Sequence, residues 1–118
     1  WAKLIPSFFI PIIAKRLLKN SRKINCEIST ISQIIKDQNI KEVNLLKIDC
    51  EGFEWNVLMG IQKPDWNKIQ SIVMEIHDIE NRLNNTVQLL KKYGFKNIVT
   101  EKEKALKETK LINLYATK

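Results

Sequence analysis

The stretch VNLLKID, residues 43–49, is an apolar run of strand length with polar residues at its ends. A run of that kind reads as a strand buried inside an α/β sheet. Outward from it, Glu51 to Met59 predicts a short helix with Glu51 and Glu54 in its first turn, where negative charge suits the helix dipole, and Gly60 as its stop. Pro64 and Asp65 mark a turn, and SIVMEIH, residues 71–77, reads as a second buried strand. Arg82 to Tyr93 predicts an amphipathic helix with a Leu83, Val87 and Leu90 stripe, stopped by Gly94 with Phe95 as its hydrophobic contact. Phe95 to Thr100 and Leu111 to Thr117 read as two further strands, antiparallel to each other across a charged connection at 101–110. Towards the N-terminus, Ser29 or Thr30 can cap a helix whose Ile31, Ile34 and Ile35 fall at i, i+3 and i+4, ending near Asn39. Ile24 to Ile28 reads as a short strand, and Ile12 to Lys19 as helical.

Strands separated by crossover helices pair in parallel with right-handed connections. The expected fold is therefore α/β, the back half of a doubly wound sheet with parallel strands, helix crossovers and a terminal antiparallel hairpin.

The chain has 118 residues, enough for one small domain. Its net charge of +7 is unevenly spread. Six basic residues, Lys3, Lys15, Arg16, Lys19, Arg22 and Lys23, precede the first acidic residue, Glu27, and the remainder carries 14 basic against 13 acidic residues. The basic character thus belongs to an arm or spacer, residues 1–23, and the domain proper to residues 24–118. Such an arm can solvate a linker or touch an anionic surface. No aromatic residue interleaves with the arm's basic cluster from Lys15 to Lys23, so no nucleic-acid partner is expected. Cys26 and Cys50 form neither a CxxC nor a zinc spacing and read as reduced thiols, which favours a cytoplasmic location. The apolar stretch from Leu4 to Ala14 is broken by Pro6 and Pro11 and is too short to span a bilayer. The chain begins at Trp1 rather than Met, and residues upstream are expected.

If strands 43–49 and 71–77 are parallel, their C-terminal ends share the sheet edge where ligands bind in open α/β folds. Asp49 and Glu51 end the first; Glu75 and His77 end the second and point to one side, because strand side chains alternate. Lys47 shares the face of Asp49 and can supply a counter-charge. His77 is the one histidine, suited to proton transfer, and a carboxylate beside it would orient the ring. Glu54 either faces this edge or only favours its helix terminus. Asp78 and Glu80 fall in the loop after the strand, and Trp55 and Trp66 read as packing residues. Oxygen ligands on Asp49 and Glu75 would suit a divalent cation, but no spacing argues for one, and no metal is expected. With glycine only at 52, 60 and 94 there is no GxGxxG and no P-loop, and there is no GxSxG or HExxH.

LLKIDCEGFEWNVLMG, residues 45–60, resembles the signature of the FkbM family of methyltransferases, a KIDVEGxE core followed by VLxG, with Cys50 in place of the valine. The resemblance continues through Glu75-x-His77, Asp78 and Gly94-Phe95, and upstream through 28–40. It implies a class I, Rossmann-like methyltransferase fold, S-adenosylmethionine as methyl donor, and O-methylation of a hydroxyl on a natural product or sugar. The glycine-rich donor-binding loop of such a fold lies on strands upstream of this chain, so the cofactor-binding residues are not among those present. The segment alone is then expected to be inactive and to bind the donor weakly. Asp49, Glu51, Glu54, Glu75 and His77 are the candidate catalytic residues, acting on a small-molecule or glycan hydroxyl. The contrasting reading is a non-catalytic binding module, or an inactive fragment, whose basic arm meets an anionic surface.

Overall fold

Thr30 opens the helix α1 (Ile31–Asp37), with its side-chain oxygen accepting from the Gln33 amide at 3.1 Å. In this computed structural model, residues 11, 15, 16, 19, 22–102 and 110–118 are described. The expected helix at 12–19 and most of the 101–110 connection lie largely outside them. From α1 the chain runs through β1 (Leu46–Ile48), α2 (Glu54–Met59), a 3₁₀ turn (Asp65–Lys68), β2 (Ser71–His77), α3 (Arg82–Lys92), β3 (Asn97–Glu101) and β4 (Leu111–Thr117).

The four strands form one mixed sheet in the order β1-β2-β4-β3. β1 and β2 are parallel, with Ile48 opposite Met74. β4 runs antiparallel to both its neighbours, pairing Met74 with Leu114 on one side and Ile98 with Ala116 on the other. The expected hairpin of β3 and β4 forms, but β4 also inserts between β2 and β3, so it is an interior strand.

One face of the sheet carries the core. Ile48, Ile72, Met74, Ile76, Leu114 and Ala116 are buried there with Leu58 of α2 and Leu90 of α3. The strict in-out alternation along β2 produces this, since its even-numbered residues are apolar. Trp66 plugs one end of the core. Its ring stacks on Tyr93 at 4.4 Å, meets Phe95 edge-on at 6.4 Å, and donates from Nε1 to the Ile61 carbonyl at 3.2 Å. Trp66 is a packing residue, as its sequence context suggests.

Several local expectations change. Residues 24–28 form no strand, and Ile24 and Ile28 are exposed. α2 starts at Glu54, not Glu51, because Glu51 and Gly52 are both in the left-handed region (φ 47° and 96°) and cannot continue a helix. Gly60 ends α2 for packing rather than for conformation: its φ is −77°, and a Cβ there would meet Thr30 Cβ at 3.3 Å. Gly94, by contrast, takes φ 89°, and the Phe95 amide returns to the Leu90 carbonyl at 3.1 Å, which closes α3. Asp78 does more than solvate a loop: its carboxylate accepts from the Leu83 amide at 3.0 Å and caps α3. No helix among the described residues is long and apolar enough to cross a membrane.

Candidate functional site at the carboxyl edge of the parallel strands

The parallel pairing of β1 and β2 puts Asp49, Glu51, Glu75 and His77 at one end of the sheet. What draws a subset of them into contact is the turn that follows β1. The Phe53 amide donates to the Cys50 carbonyl at 3.1 Å, closing a turn with both central residues, Glu51 and Gly52, at positive φ. Glycine takes that conformation freely; Glu51 takes it at a cost of about 1 kcal/mol. The turn sets the direction in which α2 leaves, and with it the position of Glu54.

Glu54 is buried, 2% exposed. Its Oε1 accepts from the Gly52 amide at 2.6 Å and lies 3.1 Å from His77 Nδ1. A carboxylate can only accept, so this contact places the Nδ1 proton on the ring side of the bond. Neutral His77 then carries a free lone pair on Nε2. That nitrogen is 3.7 Å from Glu51 Oε2, and the Glu51 side chain is 87% exposed. The buried Oε2 of Glu54 has no hydrogen-bond partner among the described residues. A carboxylate fixing one imidazole nitrogen while the other faces an open side is the arrangement of a general base with its orienting group.

The Gly52 peptide is held at both poles. Glu54 takes its N–H, and Arg82 Nη1, from the first residue of α3, donates to its carbonyl at 2.5 Å. Arg82 was not singled out by sequence reasoning. Its only signal is its place five residues beyond His77, at the start of the next helix.

Asp49 is not drawn into this cluster. It pairs with Lys47 at 3.1 Å, as their shared face suggests, and both side chains are largely exposed, so the pair contributes at most about 1 kcal/mol. Glu75 is half-buried in β2 opposite Asn113 of β4, on the His77 side of the strand. Glu80 stands at φ 55° in the turn before α3. Among the described residues, no group of three or more His, Cys, Asp or Glu side chains is arranged to hold a metal ion.

On the other flank of the same turn lies a cavity of about 500 Å³. Ile28, Ile31, Cys50, Phe53 and Val57 give it apolar walls, with Ser29, Thr30 and Asn56 supplying polar groups. Its chemistry fits a flat, largely apolar ring with a few hydrogen-bonding edges.

Sequence comparison places this chain among known proteins. The profile of the Methyltransferase FkbM domain matches residues 9–96. The 31-O-demethyl-FK506 methyltransferase FkbM of Streptomyces tacrolimicus is 32% identical over 94 residues, covering 80% of this chain and 36% of that protein. Methyltransferase 1 of Beauveria bassiana is 29% identical over 102 residues, covering 86% of this chain and 41% of that protein. Methyltransferase sdnD of Sordaria araneosa is 27% identical over 81 residues, 62% of this chain and 31% of its own length. The chain thus spans well under half the length of these relatives. No solved structure matches it.

Proposed function

This chain belongs to the FkbM methyltransferase family; we propose that it forms the acceptor-activating part, residues 24–118, of a class I, Rossmann-like domain that methylates a hydroxyl on a small molecule or glycan. The observation that carries this reading is the Glu54–His77 contact at the carboxyl edge of two parallel strands. Open α/β sheets bind their ligands at that edge. Family membership favours it over a binding module with a basic arm. The free, exposed cysteines agree with a cytoplasmic setting.

S-adenosylmethionine, when bound, supplies a methyl group activated by its sulfonium, and the C–S bonding pair stays on sulfur as the new C–O bond forms. The apolar cavity beside Cys50 and Phe53 would take the purine of that donor. No glycine-rich turn that would approach the rest of the donor occurs in this sequence; on this reading those contacts come from the rest of the domain.

The work of this segment falls on the acceptor. His77 Nε2 receives the hydroxyl proton. Glu54 holds the ring in the tautomer that leaves Nε2 unprotonated, and its negative charge stabilises the imidazolium that results. Asp49 and Glu75 line the same edge and shape its polarity. A base so positioned contributes about 10²–10⁴-fold to the rate.

The test is transfer of labelled methyl from S-adenosylmethionine by the intact enzyme carrying this segment. His77→Ala should lower kcat by about that 10²–10⁴-fold, and Asp49→Asn by much less, since Asp49 is an exposed partner of Lys47. Wild-type turnover in His77→Ala would remove the base from the mechanism.

A further inference from the structure

We propose that Arg82 is a positioning residue for methyl transfer: from the start of α3 its guanidinium holds the Glu51–Gly52 turn, and through that turn it keeps Glu54 against His77. The inference rests on the reading of His77 as the base and adds to it a residue that acts on the base from a third element.

Arg82 stands where its own helix does not favour it. It is the first residue of α3, and a positive charge in a first turn opposes the helix dipole. The turn itself contains no acidic residue to offset it. The chain also reaches this position through two successive left-handed residues that are not glycine, Glu80 (φ 55°) and Asn81 (φ 63°). Such backbone persists only where its surroundings enforce it, and it gathers at working sites. The connection from His77 is wound tightly: the Ile79 amide donates to the His77 carbonyl at 2.8 Å, and the Arg82 amide to the Ile79 carbonyl at 3.2 Å. The Asp78 carboxylate, on the Leu83 amide at 3.0 Å, fixes the helix start to the strand end. What this arrangement delivers is one side-chain bond, from Arg82 Nη1 to the Gly52 carbonyl at 2.5 Å, across 30 residues of chain.

The turn it grips is otherwise tied mainly to itself. The Phe53 amide donates to the Cys50 carbonyl at 3.1 Å, and the Gly52 amide to Glu54 Oε1 at 2.6 Å. Among the described residues, two hydrogen bonds join this turn and Glu54 to the segment from His77 to Arg82: Glu54 with His77, and Arg82 with Gly52. The two close a ring of contacts around the base. Opened at Arg82, that ring leaves Glu51 (φ 47°) free to relax its backbone, and the Gly52 amide leaves Oε1 as it does so. Glu54 then holds the imidazole with one support fewer. A proton that moves from Nδ1 to Nε2 occupies the atom that must accept, so each such molecule is lost to turnover.

The experiment uses the intact enzyme carrying this segment, with two variants. Arg82→Met keeps much of the side chain and removes its donors; Arg82→Lys returns one donor, and Arg82 uses only one N–H on Gly52. Labelled-methyl turnover is measured beside long-range ¹H–¹⁵N spectra of the imidazoles in mildly alkaline buffer, with His77 assigned by its loss in His77→Ala. Wild type should show the His77 proton on Nδ1. Arg82→Met should show both tautomers and a kcat lower by about 10- to 100-fold, the scale of a misplaced catalytic group, with acceptor KM little changed. Because the substitution removes a charge unfavourable to α3, its urea midpoint should stay near that of wild type. Arg82→Lys should recover the Nδ1 tautomer and most of kcat. A wild-type ring spectrum in Arg82→Met would overturn the proposal whatever the turnover, since Arg82 would then serve the scaffold alone. A loss that Arg82→Lys does not lessen would overturn it as well. Wild-type turnover in His77→Ala would instead overturn the base reading, and the positioning role with it.

Discussion

Replacing Glu54 by glutamine separates what this side chain does for the fold from what it does for His77. Its Oε1 accepts two bonds, from the Gly52 amide at 2.6 Å and from His77 Nδ1 at 3.1 Å. Bonds to a charged acceptor contribute about 1.5–3 kcal/mol each and neutral ones about 0.5–1.5 kcal/mol, so turning carboxylate into amide removes roughly 1 kcal/mol from each. The amide oxygen must take the place of Oε1, because its nitrogen there would face two donors. The amide nitrogen then falls at Oε2, which already lacks a partner, so one unsatisfied group replaces another. The stability loss should come to about 2 kcal/mol. The ring keeps its tautomer, since the amide still accepts from Nδ1. What is lost is the negative charge beside the imidazolium formed during turnover, and a loss of about 1.4–2.7 kcal/mol there predicts a fall in kcat of about 10- to 100-fold. Urea denaturation measures the first quantity and labelled-methyl turnover under saturating acceptor the second. Unchanged kcat alongside a measurable stability loss would refute the argument, for Glu54 would then be a structural carboxylate whose charge contributes nothing to the chemistry at His77.

The remaining predictions concern the scaffold. Trp66→Ala removes a 1%-exposed ring with its Tyr93 stack and its bond to Ile61, and should destabilise the chain by about 3–5 kcal/mol, visible as a lower urea midpoint; a change under about 1 kcal/mol would contradict the packing described. Asp65 is held below the ordinary carboxylate range, first by the hydrogen bond from Ser32 and then by that from Lys68, with burial opposing them and the Lys68 charge assisting. Its contribution is therefore fully present above about pH 4 and is lost as pH falls through its lowered folded-state value. Thermal melts should show Asp65→Asn less stable than wild type at neutral pH and the difference closing in acid; a gap that stays constant to the lowest pH would count against it.

Much of the scaffold was legible because it rests on periodicity. The alternation in SIVMEIH and the stripe in Arg82 to Tyr93 are local patterns, and both elements form within a residue or so of the expected limits. Convergence of Asp49, Glu51, Glu75 and His77 on one edge followed from the parallel pairing, which is a topological rule. The pairing of His77 with Glu54 was not legible. It depends on two successive left-handed residues redirecting α2, and a helix read from Glu51 onward hides that turn. The insertion of β4 was hidden for a related reason: nothing in LINLYAT distinguishes an edge strand from an interior one. Residues 24–28 carry a strand-like pattern, yet a strand needs a neighbour as much as a pattern, and among the described residues they pair with none.

The interior place of β4 has a bearing on how the chain assembles. Among the described residues, β3 touches no strand other than β4, and β2 has only the three-residue β1 on its other side. During synthesis both must wait, half-formed, for residues that leave the ribosome after them. The final ladder is fastened at its end by Lys118, whose amide reaches the Gln70 carbonyl and whose ammonium reaches that of Trp66. The sheet therefore closes like a drawstring, pulled tight only when β4 is threaded between β2 and β3.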